Sequence, residues 1–184
     1  EGKKKDVATV AKEVHKKPAA DMFGVELGAG TAMLSKCISE IGLQVMAVDH
    51  AYNRHKPAVP CMQLDLSKKS AWDILYKLLS ESRIAFCHGA PPCGTASRAR
   101  EKKIPLRLKR RGCPEPQRLR SEQHPEGFPN LTRLSRKKVE VANDIYDNMA
   151  KLFSACVEAG VAFTCENPSR SYFWLMSSVV KLEK

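Results

Sequence analysis

The feature that most constrains this chain is a train of short apolar runs, each cut off by glycine, proline or an acid and followed by helical periodicity. Met22 to Leu27, Val45 to Val48, Met62 to Asp65, Arg83 to Cys87 and Val161 to Cys165 read as strands. Ala32, Leu34, Ile38 and Ile41, then Trp72, Leu75, Leu78 and Leu79, recur at helical spacing between them. The longest such stretch, Thr132 to Ala159, carries Val139, Ala142, Ile145, Met149, Leu152, Phe153 and Cys156, and a last helix is predicted over 171–182. Strand–helix alternation of this kind predicts an α/β fold with a doubly wound, mostly parallel sheet. With 184 residues the chain is one domain of ordinary size. It reads as a lysine-rich tail over 1–20 followed by the folded unit, 21–184.

Two strand ends carry chemistry. After the run that ends at Cys87 comes His88-Gly89-Ala90-Pro91-Pro92-Cys93-Gly94-Thr95-Ala96-Ser97. Two prolines cannot continue a hydrogen-bond ladder, so Cys93 is expected in a stiff turn at a carboxyl-terminal strand edge, where open α/β sheets place ligands. The strand ending at Cys165 runs into Glu166-Asn167-Pro168. A thiol and a carboxylate delivered from two strand ends suit a nucleophile and a proton donor, Cys93 and Glu166.

The other end of the chain offers a cofactor site. Glu26-Leu27-Gly28-Ala29-Gly30 opens a helix directly after a strand, and its glycines allow backbone amides to approach a ligand. Asp49 ends the next strand, where an acid can accept both hydroxyls of a ribose. Asp65, ending the third, can meet an adenine amino group. Position 33 is Met where a dinucleotide fingerprint would have glycine, which favours S-adenosylmethionine, with a ribose and adenine but no phosphate.

Charge points to the substrate. The chain carries 31 basic and 20 acidic residues, a net +11. Between Arg98 and Lys138 stand 14 Lys/Arg against 4 Asp/Glu, so nearly all of the surplus follows Cys93 directly. A polyanion, nucleic acid, is the expected partner. Residues 98–130 break the strand–helix rhythm and are rich in proline, which predicts an irregular basic segment of the kind used as a mobile loop. Arg98, Arg100, Lys102 and Lys103 are the expected phosphate contacts.

The 7 cysteines are odd in number and lack zinc spacing, so neither a disulfide framework nor a structural metal is expected. Cys37, Cys87 and Cys156 are expected in the core. No secretory signal and no apolar run of roughly 18 residues is present, which predicts an intracellular protein, nuclear or cytoplasmic, off the membrane. The oligomeric state is not encoded in any of these features.

Taken together these motifs resemble the DNA (cytosine-5) methyltransferases, and more loosely the methylase domains of mobile-element polyproteins. Glu26 to Gly30 is similar to the family's first motif, Asp49 to its ribose-binding acid, and Leu64-Asp65-Leu66 to its third motif. Pro91-Pro92-Cys93 with Ser97 resembles its nucleophile motif, and Glu166-Asn167-Pro168 its Glu-Asn-Val motif. The likeness covers about residues 21–176. It implies a Rossmann-like, class I S-adenosylmethionine-dependent enzyme that methylates carbon 5 of cytosine in DNA through a covalent adduct at Cys93. In that scheme Glu166 stabilises ring nitrogen 3, Asn167 orients its loop, and the basic segment closes over a flipped base. Gly28 departs from the family's phenylalanine, Ala32 from its frequent glycine and Gly94 from its common glutamine. The chain opens on glutamate and runs no further than the sixth motif, so a partial catalytic domain is expected. The same residues allow two other readings. Thr164-Cys165 would supply the nucleophile of an RNA cytosine-5 methyltransferase, and a degenerate module would bind cofactor or nucleic acid without turnover.

Overall fold

Five parallel strands in the order β3-β2-β1-β4-β5 form the centre of the molecule. They are β1 (Phe23–Leu27), β2 (Val45–Asp49), β3 (Cys61–Gln63), β4 (Ile84–Gly89) and β5 (Ala162–Cys165). The computed structural model describes residues 22–183; the predicted tail, 1–20, lies outside them. The strand order reverses between β1 and β4, and open α/β sheets bind ligands in the crevice formed at such a point. This is a Rossmann-like arrangement, with every strand parallel.

The sheet face carrying Val25, Leu27, Val48 and Cys87 packs against two helices, α2 (Lys69–Ser80) and α4 (Arg133–Glu158). Trp72, Leu75 and Leu79 come from α2 and Ile145, Met149, Leu152, Phe153 and Cys156 from α4, all buried. Their spacing of three and four is what makes each helix amphipathic. Gly89 lets α4 come close: a Cβ there would stand 2.5 Å from Met149 Sδ and 2.7 Å from Phe153 Cζ. The N-cap of α4 is Thr132, whose Oγ1 accepts from the Ser135 amide at 3.3 Å.

On the opposite face lies α1 (Met33–Glu40), which follows β1. Of its expected inward residues Ala32 is buried and Ile38 half-buried, but the rest are misphased. Leu34 and Ile41 are exposed, and Cys37, expected in the core, is exposed as well. The buried contacts are Ala32 and Ser35, because Glu26 reaches across from β1 and accepts from the Ser35 amide at 2.9 Å and from its hydroxyl. Ala32, the N-cap, has no side chain to cap with and stands at φ 52°. Glu26 therefore caps α1 from outside, and the positive φ at a non-glycine residue costs on the order of 1 kcal/mol.

The segment 98–130 is only partly irregular. It contains a single turn of 3-10 helix at Arg98–Glu101 and a short α3 (Leu106–Arg110), and its far end is packed. Leu119 and Leu131 are buried with Val139 in a small separate core, and Arg120 is 1% exposed. The helix expected over 171–182 is instead a 3-10 turn at Tyr172–Leu175, a short α5 (Ser177–Val180) and a last turn at Lys181–Glu183. Met176 breaks it, with extended φ −63° and ψ 135°, and the pieces bury Tyr172, Phe173, Met176 and Val179 against Ala96 and Tyr146. Among the described residues no helix is long and apolar enough to cross a membrane.

Candidate active site

The Pro-Pro-Cys turn sits at the carboxyl end of β4 and is held from two sides. Asn167, 7% exposed, donates from Nδ2 to the Pro91 carbonyl at 3.0 Å. Tyr146, buried on α4, donates its hydroxyl to the Pro92 carbonyl at 2.6 Å. Each proline thus presents the only backbone hydrogen-bonding group it has, and each is met by a side chain from another element. Cys93 comes next, in a 3-10 turn over Cys93–Thr95, and its carbonyl accepts from the Ala96 and Ser97 amides at 3.0 and 2.8 Å. The thiol is half-buried.

Beneath this turn is a buried cation. The Arg120 guanidinium donates to Pro125 O at 2.6 Å, Asn143 Oδ1 at 2.7 Å and Thr95 Oγ1 at 2.9 Å. It also lies over the Tyr146 ring, 5.4 Å from its centre. Burial holds its pKa below the usual arginine range, and burial likewise pushes the Tyr146 hydroxyl up. Through Arg120, the basic segment is tied directly to the turn that carries Cys93.

β5 brings its own end to the same edge. The Glu166 amide donates to Gly89 O at 2.9 Å, Glu166 itself is exposed, and Asn167 comes next with its bond to Pro91. The two strand ends that carry Cys93 and Glu166 are therefore neighbours, locked through Asn167.

A cleft of about 950 Å³ opens at the crossover, lined by Gly28, Gly30, Asp49, Asp65, Pro92 and Gly94 among others. Gly28 stands at φ 74°, and a Cβ on it would come within 2.4 Å of the Ala90 carbonyl. Only glycine allows this approach of the β1 and β4 ends. Asp49 spans from β2 to the glycine turn, accepting from the Gly30 amide at 2.7 Å and, through its other oxygen, from the His50 amide at 2.7 Å. The Asp65 carboxyl is held below the usual carboxylate range by hydrogen bonds from the Ser67 hydroxyl and amide, with help from the charges of Lys68 and His50. Glu26 is absent from the lining; its carboxylate is spent on Ser35. Neither Cys93 nor Glu166 is part of the wall: Cys93 sits between two lining residues, Pro92 and Gly94, and no residue at the end of β5 lines the cleft.

Compared with known proteins, the chain matches no family model, no curated protein and no solved structure.

The predicted phosphate contacts divide. Arg98 is engaged, donating to Glu122 Oε1 at 2.6 Å and to Arg170 O at 2.9 Å while stacked over Tyr172. Arg98, Ser97 and Lys102 border a hollow of about 370 Å³ beside Pro168 and Arg170. Arg100 turns the other way, its Nε bonded to Gly94 O at 2.6 Å. Lys103 is exposed and borders neither space. Sequence reasoning missed Arg120 and Tyr146, and with them His50 and Asn53, which line the cleft, Asn53 donating from Nδ2 to the Gly30 carbonyl at 2.6 Å. For Tyr146 a signal existed, since it falls on the buried stripe of α4 beside Ile145. For Arg120 there was none, because a charge count treats every arginine in a basic run as solvated.

Cys165 has a different setting. It lines a small apolar hollow of about 150 Å³ with Phe153, Phe163 and Phe173, and burial together with the Glu166 charge pushes its thiol up to about 12. At pH 8 such a thiol stays protonated and is a poor nucleophile. Iodoacetamide at that pH should label the exposed Cys37 and Cys113 of the folded protein and spare Cys87, Cys156 and Cys165. Mass mapping of the alkylated peptides checks this.

Proposed function

We propose that this chain carries the catalytic core of a cytosine-5 methyltransferase acting on DNA, with S-adenosylmethionine as cofactor. The observation that carries the reading is the lock between strand ends, in which Asn167 and Tyr146 hold the two proline carbonyls before Cys93 beside the crossover cleft. A proposed catalytic cysteine needs a fixed position more than anything else, and two prolines with pinned carbonyls supply one.

The cleft suits the cofactor. Its volume lies within the roughly 300–1,000 Å³ of small-molecule sites. Gly28 lets the β1 and β4 ends that border it approach each other, and Asp49 and Asp65 offer acceptors to ribose hydroxyls and an adenine amino group. When bound, S-adenosylmethionine supplies an electrophilic methyl group.

The chain's own residues prepare the base. Cytosine carbon 5 is too weak a nucleophile unaided. Attack of the Cys93 thiolate on carbon 6 forms an S–C bond and moves the C5=C6 electron pair toward carbon 5, with charge spreading to nitrogen 3. Glu166 meets that nitrogen as a hydrogen-bond or proton donor, and Asn167 keeps the loop bearing it against Pro91. Once carbon 5 has been alkylated, loss of its proton re-forms C5=C6 and expels the Cys93 thiolate. The ring edge is reached only when the nucleotide leaves the stack, which the surplus positive charge beside Cys93 favours by holding the backbone.

Binding and transfer can be read separately. S-adenosylhomocysteine at a hundred times its Kd should stabilise the fold by about 2.7 kcal/mol, on the order of 5–10 °C in Tm, and Asp49→Ala should remove the shift. Labelled methyl transfer to a cytosine-containing duplex, confined to carbon 5, tests the reaction itself. A wild-type protein with no thermal shift and no transfer sinks the proposal.

A further inference from the structure

Beside the cofactor cleft runs a second groove of about 530 Å³ whose wall is one stripe of α4. Leu134, Lys137, Lys138, Val141 and Ile145 recur at helical spacing along it, and Pro92, Gly94 and Arg100 close the far side. Four residues, Pro92, Gly94, Val141 and Ile145, line both spaces, so the groove leads directly into the cleft. Leu134 is 76% exposed, a large apolar side chain left in water between cations.

The charge here works against the helix. The first six residues of α4 hold Arg133, Arg136, Lys137 and Lys138 and no acid, although the amino end of a helix favours negative charge. Among the described residues, Lys137 and Lys138 form no ion pair. Arg100 meets carbonyls there, those of Gly94 and Gln117, and no carboxylate. An apolar floor with cations along its rim fits a nucleotide, with base and sugar on Leu134 and Val141 and phosphates at Arg100, Lys137 and Lys138.

We propose that this groove holds the target-strand nucleotides flanking the reacting cytosine, locally unpaired from the complement when the cytosine leaves the stack, so that the strand runs along α4 toward Cys93. The inference rests on the DNA reading above and adds to it a path and two lysines that net charge alone does not single out. A flanking base is held by contact and phosphate charge rather than by base-edge hydrogen bonds, so its identity matters little.

The test is fluorescence anisotropy of a labelled single-stranded 12-mer carrying one 5-fluorocytosine, measured across a salt series. Relative to wild type, Lys137→Gln/Lys138→Gln should weaken binding at least about tenfold at low salt and flatten the slope of log K against log[salt] by about 1.4, two phosphates at about 0.7 each. The control pair Lys69→Gln/Lys77→Gln, exposed on α2, removes equal charge and should leave both unchanged. An abasic residue next to the 5-fluorocytosine should weaken wild type severalfold and leave Leu134→Ala/Val141→Ala indifferent. Unchanged affinity and slope in the α4 lysine variant, or equal losses in the control, overturn the inference. Covalent capture by wild type separates the two claims. If capture persists while the lysines prove irrelevant, the methylation reading stands and the path is wrong. If the lysines matter and wild type captures nothing, the strand path stands and the chemistry fails.

Discussion

Serine at position 93 is expected to abolish covalent capture of a 5-fluorocytosine duplex and to lower methyl transfer by at least about three orders of magnitude. Fluorine on carbon 5 cannot leave as a cation, so an enzyme that has attacked carbon 6 and alkylated carbon 5 stays bound to its DNA. A hydroxyl in place of the thiol is too weak a nucleophile to reach that point. Cys165→Ser should leave capture within about twofold of wild type, because its thiol is pushed up to about 12 and lies in an apolar hollow away from the Pro-Pro-Cys turn. Denaturing gels of the two variants after incubation with cofactor decide the matter. Capture lost with Cys165 and kept without Cys93 transfers the nucleophile to the later strand and makes the RNA-type chemistry the better account.

Arg120→Ala should destabilise the fold by about 3–5 kcal/mol, more than any exposed arginine of the basic segment. The guanidinium is the largest fully buried side chain among the described residues, and its removal leaves Pro125 O, Asn143 Oδ1 and Thr95 Oγ1 short of a donor. It also empties the space under Tyr146, whose hydroxyl holds the Pro92 carbonyl. Lysine at 120 retains the charge but cannot span three acceptors with a single ammonium, so an intermediate loss is expected. Urea unfolding of Arg120→Ala, Arg120→Lys and Arg107→Ala measures the series; Arg107 is exposed and should stay within about 0.5 kcal/mol of wild type. A similarly small loss at position 120 would mean that the far end of the basic segment is not anchored by this cation.

The strands and long helices were legible because their signals are local. Alternation and spacing place α4 within a residue at each end, and Thr132 and Ala159 bound it as the pattern implies. The pattern departs from the structure where a nonlocal contact sets the phase. In α1 the apolar spacing of Leu34, Ile38 and Ile41 is real, yet the inward face is chosen by the bond between Glu26 and Ser35, and no periodicity reports a carboxylate reaching from a neighbouring strand. In 171–182 the helical spacing is interrupted by Met176, whose side chain is buried against α4 at the expense of regular backbone. At the site, the glycine turn, Asp49, Asp65 and the two strand ends were readable from residue type and position. What position alone could not supply was the division of labour among them, with Glu26 drawn to α1 and Asp49 binding the turn together.

The wall common to the two cavities has a thermodynamic consequence. Pro92, Gly94, Val141 and Ile145 face both, so an occupant of one cavity that moves or orders them would alter the free energy of filling the other. Such linkage is reciprocal in sign and size, since both orders of loading reach the same final state. On the proposed reading, cofactor in the crossover cleft would change the affinity for a strand along α4, and the strand would change the affinity for cofactor by the same factor.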